Sequence, residues 1–189
     1  MKKDKKWTVA PWYPLKDKNE MLELMKEYWG ENEFTTAKFY DWQYLKNPAG
    51  EPVIILARDK NNGKLAGQYV VIAANITVAG QNLPATLSIN TLTHKDYRGQ
   101  GIFTELAEHV YKKCSEKKRY FTYGFPNENS YYGFINKLNF DDIGSVPLQI
   151  YLNLLHYVMV ILLVIFVPLL KCYTKEVNYK NIIIISLIW

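Results

Sequence analysis

The sequence is poor in cysteine: its 189 residues include two, Cys114 and Cys172, in no CxxC or metal-ligand spacing. That pattern speaks against a disulfide framework and a cysteine-built metal centre. Cys114 continues the apolar face of a predicted helix and reads as a buried, reduced thiol, which fits a cytoplasmic protein. Basic stripes and nucleic-acid motifs are missing, and the net charge of +5 is modest, so nucleic acid is not an expected partner. The lysines of MKKDKKW are followed by no apolar run, only by Trp7 to Lys16 with its two prolines. They read as a solvated tail, and no secretory signal is expected. A Gly-Lys-Ser/Thr phosphate loop and a GxGxxG fingerprint are both absent, which removes the two commonest nucleotide-binding glycine motifs. No metal site is expected.

What remains is a chain that is 49% hydrophobic and 15% aromatic, long enough for one domain with a real core. Asn19 to Trp29 reads as a helix with Asp17 or Asn19 as its cap, and Thr35 to Leu45 as a short second helix stopped by Asn47-Pro48. Pro52 to Arg58 is almost continuously apolar, as a central strand should be. A turn over Asp59 to Gly63 leads into a strand over Lys64 to Val78. A hairpin at Ala79 to Asn82 then returns the chain as a strand over Leu83 to Thr93. Within that strand Leu83, Ala85, Leu87 and Ile89 alternate, and the apolar phase then slips to Leu92. A slip of one residue predicts a β-bulge near Asn90 or Thr91. A helix over Gly99 to Ser115, an aromatic strand over Arg119 to Phe125, a helix from Asn127 to Leu138 and a strand over Asp141 to Tyr151 complete the pattern.

The chain is organised around Thr91 to Phe103, TLTHKDYRGQGIF, where a strand ends, a glycine loop follows and a helix begins. The first amides of a helix lack internal partners and carry partial positive charge, so this junction is an anion site suited to a pyrophosphate. Gly99 and Gly101 let the backbone approach a ligand, and Arg98 can add a charge-assisted hydrogen bond.

The string Asp96-Tyr97-Arg98-Gly99-Gln100-Gly101 resembles the acetyl-CoA loop of the GNAT N-acetyltransferase superfamily, Q/R-x-x-G-x-G/A, with Asp96 replacing the first residue. The resemblance is clear over Pro52 to Ile150. It implies an α/β fold with a mixed, mainly antiparallel sheet flanked by helices, and an enzyme that moves an acetyl group from acetyl-CoA to a primary amine. By the same resemblance, residues from Arg98 through Gly99, Gln100, Gly101, Ile102 and Phe103 to Thr104 hold the pyrophosphate. Leu92 and Thr93 align pantetheine, and Asn127 or Asn129 contacts the coenzyme. The two N-terminal helices would cover the acceptor, a small-molecule amine or amino sugar, with Trp12, Trp29, Tyr40, Trp42 and Tyr44 as pocket or core residues. Many members protonate the departing thiolate with a tyrosine where this chain has Ile135, so Tyr132 is the candidate acid. Asn139 stands where a glycine is usual, and His109 reads as a surface residue.

Two further readings stay open: an acyl-CoA-binding or regulatory module with impaired chemistry, and a membrane-associated transferase acting on a cell-envelope amino sugar. The second is motivated by the tail. Residues 1–153 read as the domain and 154–189 as an apolar tail, in which Tyr157 to Leu170 is wholly apolar and Ile182 to Trp189 forms a second run. Fourteen helical residues cover about 21 Å against a hydrocarbon core of about 30 Å. The tail is therefore open to three readings: a membrane anchor through 154–170, a helix and strand completing the domain, or a truncated reading frame. Oligomeric state is not legible.

Overall fold

A computed structural model describes residues 5–146 and 181–187. The described residues 5–144 and 182–187 belong to one compact unit. The apolar run 157–170 lies outside the described residues, as do the end of the strand expected to reach Tyr151 and the candidate anchor 154–170.

A seven-stranded sheet has the order β1-β2-β3-β4-β5-β7-β6. Its strands are β1 (Trp7–Pro11), β2 (Val53–Asp59), β3 (Leu65–Val78), β4 (Gln81–Thr93), β5 (Phe121–Gly124), β6 (Asp141–Val146) and β7 (Asn181–Leu187). β1 to β4 pair antiparallel in series, β4 and β5 pair parallel, and β7 returns antiparallel to β5. The mainly antiparallel, helix-flanked α/β sheet expected from the sequence is present.

β2 shows why a central strand reads as one apolar run. Val53, Ile55 and Ala57 join the core on one face, with Ile102, Leu106, Val110 and Cys114 of α3 (Ile102–Glu116) and Phe134 of α4 (Glu128–Leu138). Ile54 and Leu56 join the core on the other, with Met21, Leu22 and Met25 of α1 (Pro14–Trp29). Both faces are covered, so neither can be polar.

Three expectations near the N-terminus are corrected. Trp7 to Pro11 is not tail but an edge strand, with Trp7 fully buried and paired to Asp59. The first helix begins at Pro14 rather than Asn19, and neither Asp17 nor Asn19 caps it. Proline suits the first helical position because its missing N–H would have no partner there. Buried Asp17 instead reaches back from the first turn: its Oδ2 accepts from Tyr13 N at 2.6 Å, and its Oδ1 pairs with Arg58 at 2.7 Å. The second helix is broken into a 3-10 turn (Glu33–Thr35), α2 (Ala37–Tyr40) and a wide π-type turn (Asp41–Leu45). Asn32 and Thr36 cap the first two of these pieces separately.

Candidate active site

β4 and β5 part company, and both strands contain the reason. On β4, Ile89 faces Val70 and Leu92 faces Gln68, so Tyr69 alone opposes Asn90 and Thr91. This is the bulge that the phase slip predicted. Asn90 sits at φ +49°, a left-handed conformation that asparagine tolerates better than most residues. It is held there from three directions. Its Nδ2 donates to Gln43 Oε1 at 2.9 Å and to Tyr44 Oη at 2.6 Å, and its carbonyl accepts from Gln68 Nε2 at 2.9 Å. Gln68 and Tyr44 are both buried. On β5 the pairing ends at Ser88↔Gly124, and Pro126 follows with no N–H to continue a ladder.

The wedge between the strands opens into a cavity of about 420 Å³, lined by Ser88 to Thr93 of β4, Phe125 to Asn127 beyond β5, and Asn129, Ser130, Tyr132, Gly133 and Lys137 of α4. Arg98, Phe103 and Phe134 complete the lining together with Tyr28 and Trp29, at the end of α1.

The glycine loop lies at the open end. His94 Nδ1 accepts from Asp96 N, a short turn runs over Lys95–Tyr97, and Tyr97 Oη donates to Asp59 Oδ2 at 2.7 Å. That hydrogen bond, with the amides of Asn61 and Asn62, holds the Asp59 carboxyl below the usual carboxylate range and pushes the Tyr97 phenol up. Glu27 of α1 pairs with Lys95 at 3.1 Å and with His94 at 3.3 Å, tying the loop to the helix. Gly99 and Gly101 take φ +72° and +80°, and a Cβ at either would meet nothing within 4 Å. Open space over a turn that exposes its backbone is what an incoming anion needs. Gly101 caps α3 without any side chain, and the first helical bond is Glu105 N to Gly101 O at 3.1 Å. The amides of Ile102, Phe103 and Thr104 therefore have no partner within the helix. The side chain of Ile102 is buried against Gly67, so only its backbone is available to a ligand.

Of the residues anticipated as a coenzyme site, the cavity brings together Leu92, Thr93, Arg98, Phe103, Asn127 and Asn129, while Gly99, Gln100, Gly101, Ile102 and Thr104 form the adjoining loop and helix start. Asn127 also caps α4, its Oδ1 accepting from Ser130 N at 3.1 Å. Tyr132 lies on the rim, 64% exposed. Tyr131, its neighbour, points elsewhere and donates to Asp142 at 2.7 Å, which raises its own phenol pKa. Ile135 packs against the core. Asn139 performs the glycine's task at the end of α4: it adopts φ +55°, and the amide of Phe140 returns to Phe134 O at 3.1 Å.

Among the aromatic candidates, Trp29 lines the cavity, Tyr40 and Tyr44 are core, and Trp42 is 60% exposed. Trp12 donates to Tyr40 Oη, and burial pushes that phenol up to about 12. Sequence reasoning missed Tyr28, Ser88 and Lys137. Tyr28 is found by the Arg98 guanidinium, 5.3 Å above its ring. Among the described residues, Arg98 and Lys137 are the charged residues of the lining, with no histidine, aspartate or glutamate. The cavity therefore suits a polyanion. Among the described residues no cluster of three or more His, Cys, Asp and Glu side chains could hold a metal ion.

A family model described as an acetyltransferase (GNAT) domain matches residues 13–140. No curated protein matches the sequence. Among solved structures, an acetyltransferase of the GNAT family from Staphylococcus aureus Mu50 is 13% identical, with a TM-score of 0.60 over 97% of this chain and 99% of that one. Glucosamine-6-phosphate N-acetyltransferase from Arabidopsis thaliana is also 13% identical, with a TM-score of 0.59 over 78% of this chain and 99% of that one. A probable N-acyltransferase from Enterococcus faecalis V583 is 15% identical with a TM-score of 0.57; the match covers 74% of this chain, which spans only 33% of that one. At such identities the likeness to the structures is one of fold alone.

Proposed function

Because the chain belongs to the acetyltransferase (GNAT) domain family, we propose that it is an N-acyltransferase that moves an acetyl group from acetyl-CoA to a primary amine by direct attack in a ternary complex. The observation that carries this reading is the wedge between β4 and β5, which runs from a helix start capped by Gly101 without a side chain to a closed end and, among the described residues, is lined by positive charge only. The amides of the Arg98 to Thr104 segment hold the pyrophosphate. Leu92 and Thr93, beyond the bulge, align pantetheine, and Asn127 and Asn129 border it from the other wall.

The acceptor nitrogen attacks the thioester carbonyl carbon. A C–N bond forms, the carbonyl electrons move to oxygen, and a backbone N–H freed by the bulge stabilises that oxyanion. The C–S bond then breaks, the thiolate takes a proton from Tyr132, and the phenolate is restored by the proton that the acylated nitrogen gives up through water. An alkylamine is protonated near neutral pH, and among the described residues no carboxylate or imidazole lines the cavity. Its proton therefore leaves through water, and alignment of the two reactants supplies much of the acceleration. The acceptor is a small amine or amino sugar. We assign these roles to a domain within residues 1–153 of a cytoplasmic protein. Among the described residues no helix is long and apolar enough to cross a membrane.

An acceptor screen that follows release of the free CoA thiol tests the reading. Turnover with primary amines supports it, and acetyl-CoA binding without turnover on any amine would favour the acyl-CoA-binding module instead.

A further inference from the structure

A second cavity, of about 550 Å³, lies where β2 begins and α3 ends, and its described lining shares no residue with the wedge. Much of that lining is flat and stiff. Pro11 ends β1, half-buried Trp12 follows, Pro14 opens α1, and Pro52 leads into β2. The end of α3 contributes Lys113, and Lys117 follows one helical turn later.

The walls are fixed before any ligand arrives. Trp12 Nε1 donates to Tyr40 Oη at 2.9 Å, and the Tyr40 ring packs 4.7 Å from that of Tyr44, which also lines the cavity. The loop before β2 is pinned twice: Asn47 Nδ2 donates to Ala73 O at 3.1 Å, and Arg119 donates to Glu51 O at 2.7 Å. Gly50 leaves room for that arginine, since a Cβ there would sit 2.9 Å from its guanidinium. A small molecule entering such a site orders few groups of the protein.

The indole and amide of the walls are spent inside the fold, and Asn47 Oδ1 accepts from Ala49 N at 2.9 Å. The ammonium groups are not. Among the described residues Lys113 pairs with no carboxylate, and Lys117 pairs with Glu51 alone, at 3.4 Å. Glu51 is the one carboxylate of the described lining, and its side chain is 84% exposed. So exposed a pair holds weakly, and an incoming anion can replace Glu51 at small cost. Flat apolar walls beside surplus cations define the ligand: a planar ring with an acidic group.

We propose that this second cavity binds a small aromatic acid, its ring packed against Trp12 and the prolines and its carboxylate held by Lys113 and Lys117. The site is separate from the wedge and does not rest on the acyl-CoA reading.

Titration of naphthoate into the isotope-labelled full chain, followed by NMR at the tryptophan indole N–H signals, tests it. The Trp12 signal is identified by its loss in Trp12→Phe. The expected result is a saturable shift of that signal in wild type. Affinity should fall about tenfold or more when Lys113→Glu and Lys117→Glu are combined, and about tenfold for uncharged naphthamide on wild type. Lys137→Glu, which changes the charge of the wedge, should bind naphthoate as wild type does. No shift at Trp12 overturns the proposal, as does a shift confined to Trp29, which would place the acid in the wedge. Undiminished binding by the folded double variant also overturns it. Equal affinity for naphthoate and naphthamide does the same and needs wild type only, so a double variant that fails to fold does not shield the proposal.

Discussion

Replacing Asn90 probes the bulge on which the wedge depends. Asn90→Ala removes the bonds to Gln43 and to buried Tyr44, each costing about 1 kcal/mol. It also places a residue with a Cβ and no local polar compensation at φ +49°, a further cost of about 1 kcal/mol. The expected loss is therefore about 3 kcal/mol. Asn90→Gly loses the same bonds but adopts positive φ freely, so its loss should be about 2 kcal/mol. The order is the informative result: glycine, ordinarily the worse residue in a strand, should be better here than alanine. Urea unfolding followed by tryptophan fluorescence measures both. If the alanine variant matches or exceeds the glycine variant in stability, Asn90 does not occupy a left-handed bulge, and the opening of the wedge needs another cause.

Other consequences follow from the same geometry. Gly67→Ala should destabilise by about 1–3 kcal/mol in the same assay, because its Cβ would lie 3.0 Å from the Leu92 carbonyl and 3.0 Å from Ile102 Cγ2; a neutral change would contradict the close contact between β3 and the start of α3. Burial pushes the Cys114 thiol up to about 11, so in a Cys172→Ser background it should resist a disulfide reagent at pH 8 and react once unfolded, and rapid labelling of the native protein would refute its burial. Asp59 titrates below its ordinary value because Tyr97 and two amides stabilise the carboxylate. Its contribution is therefore complete above the unfolded pKa of about 3.9 and fades as pH falls through the lower, folded value. Acid titration of stability should show a smaller decline below about pH 4 for Asp59→Asn than for wild type, and equal declines would refute the linkage.

Much of this arrangement was legible in the sequence because it is local. The bulge showed as a slip between Ile89 and Leu92, the helix start as two glycines, and β2 as an unbroken apolar run. What escaped depends on distant partners. Trp7 opens a strand only because β2 offers an edge, and its five residues are too few to show a period. The start of α1 at Pro14 was hidden by Lys16 to Asn19, whose polarity makes sense once Asp17 meets Arg58, forty-one residues away. Ser88 carries no local signal in the sequence, since nothing near it shows that β5 ends opposite it. Trp29 was a candidate pocket residue in the sequence, whereas Tyr28 read only as part of the helix's apolar face, and the fold carries both to the cavity. Asn139 was a departure from the expected glycine in sequence and is its equivalent in backbone conformation.

The central claim is that the glycine loop and the wedge behind it bind acyl-CoA. Calorimetric titration of acetyl-CoA into wild type and Gly101→Asp tests it most directly. Saturable binding by wild type is expected. In the variant, an aspartate at φ +80° would strain the turn and set a negative charge where the pyrophosphate should lie, so binding should be lost. Undiminished binding by Gly101→Asp, or none by wild type, would contradict the account.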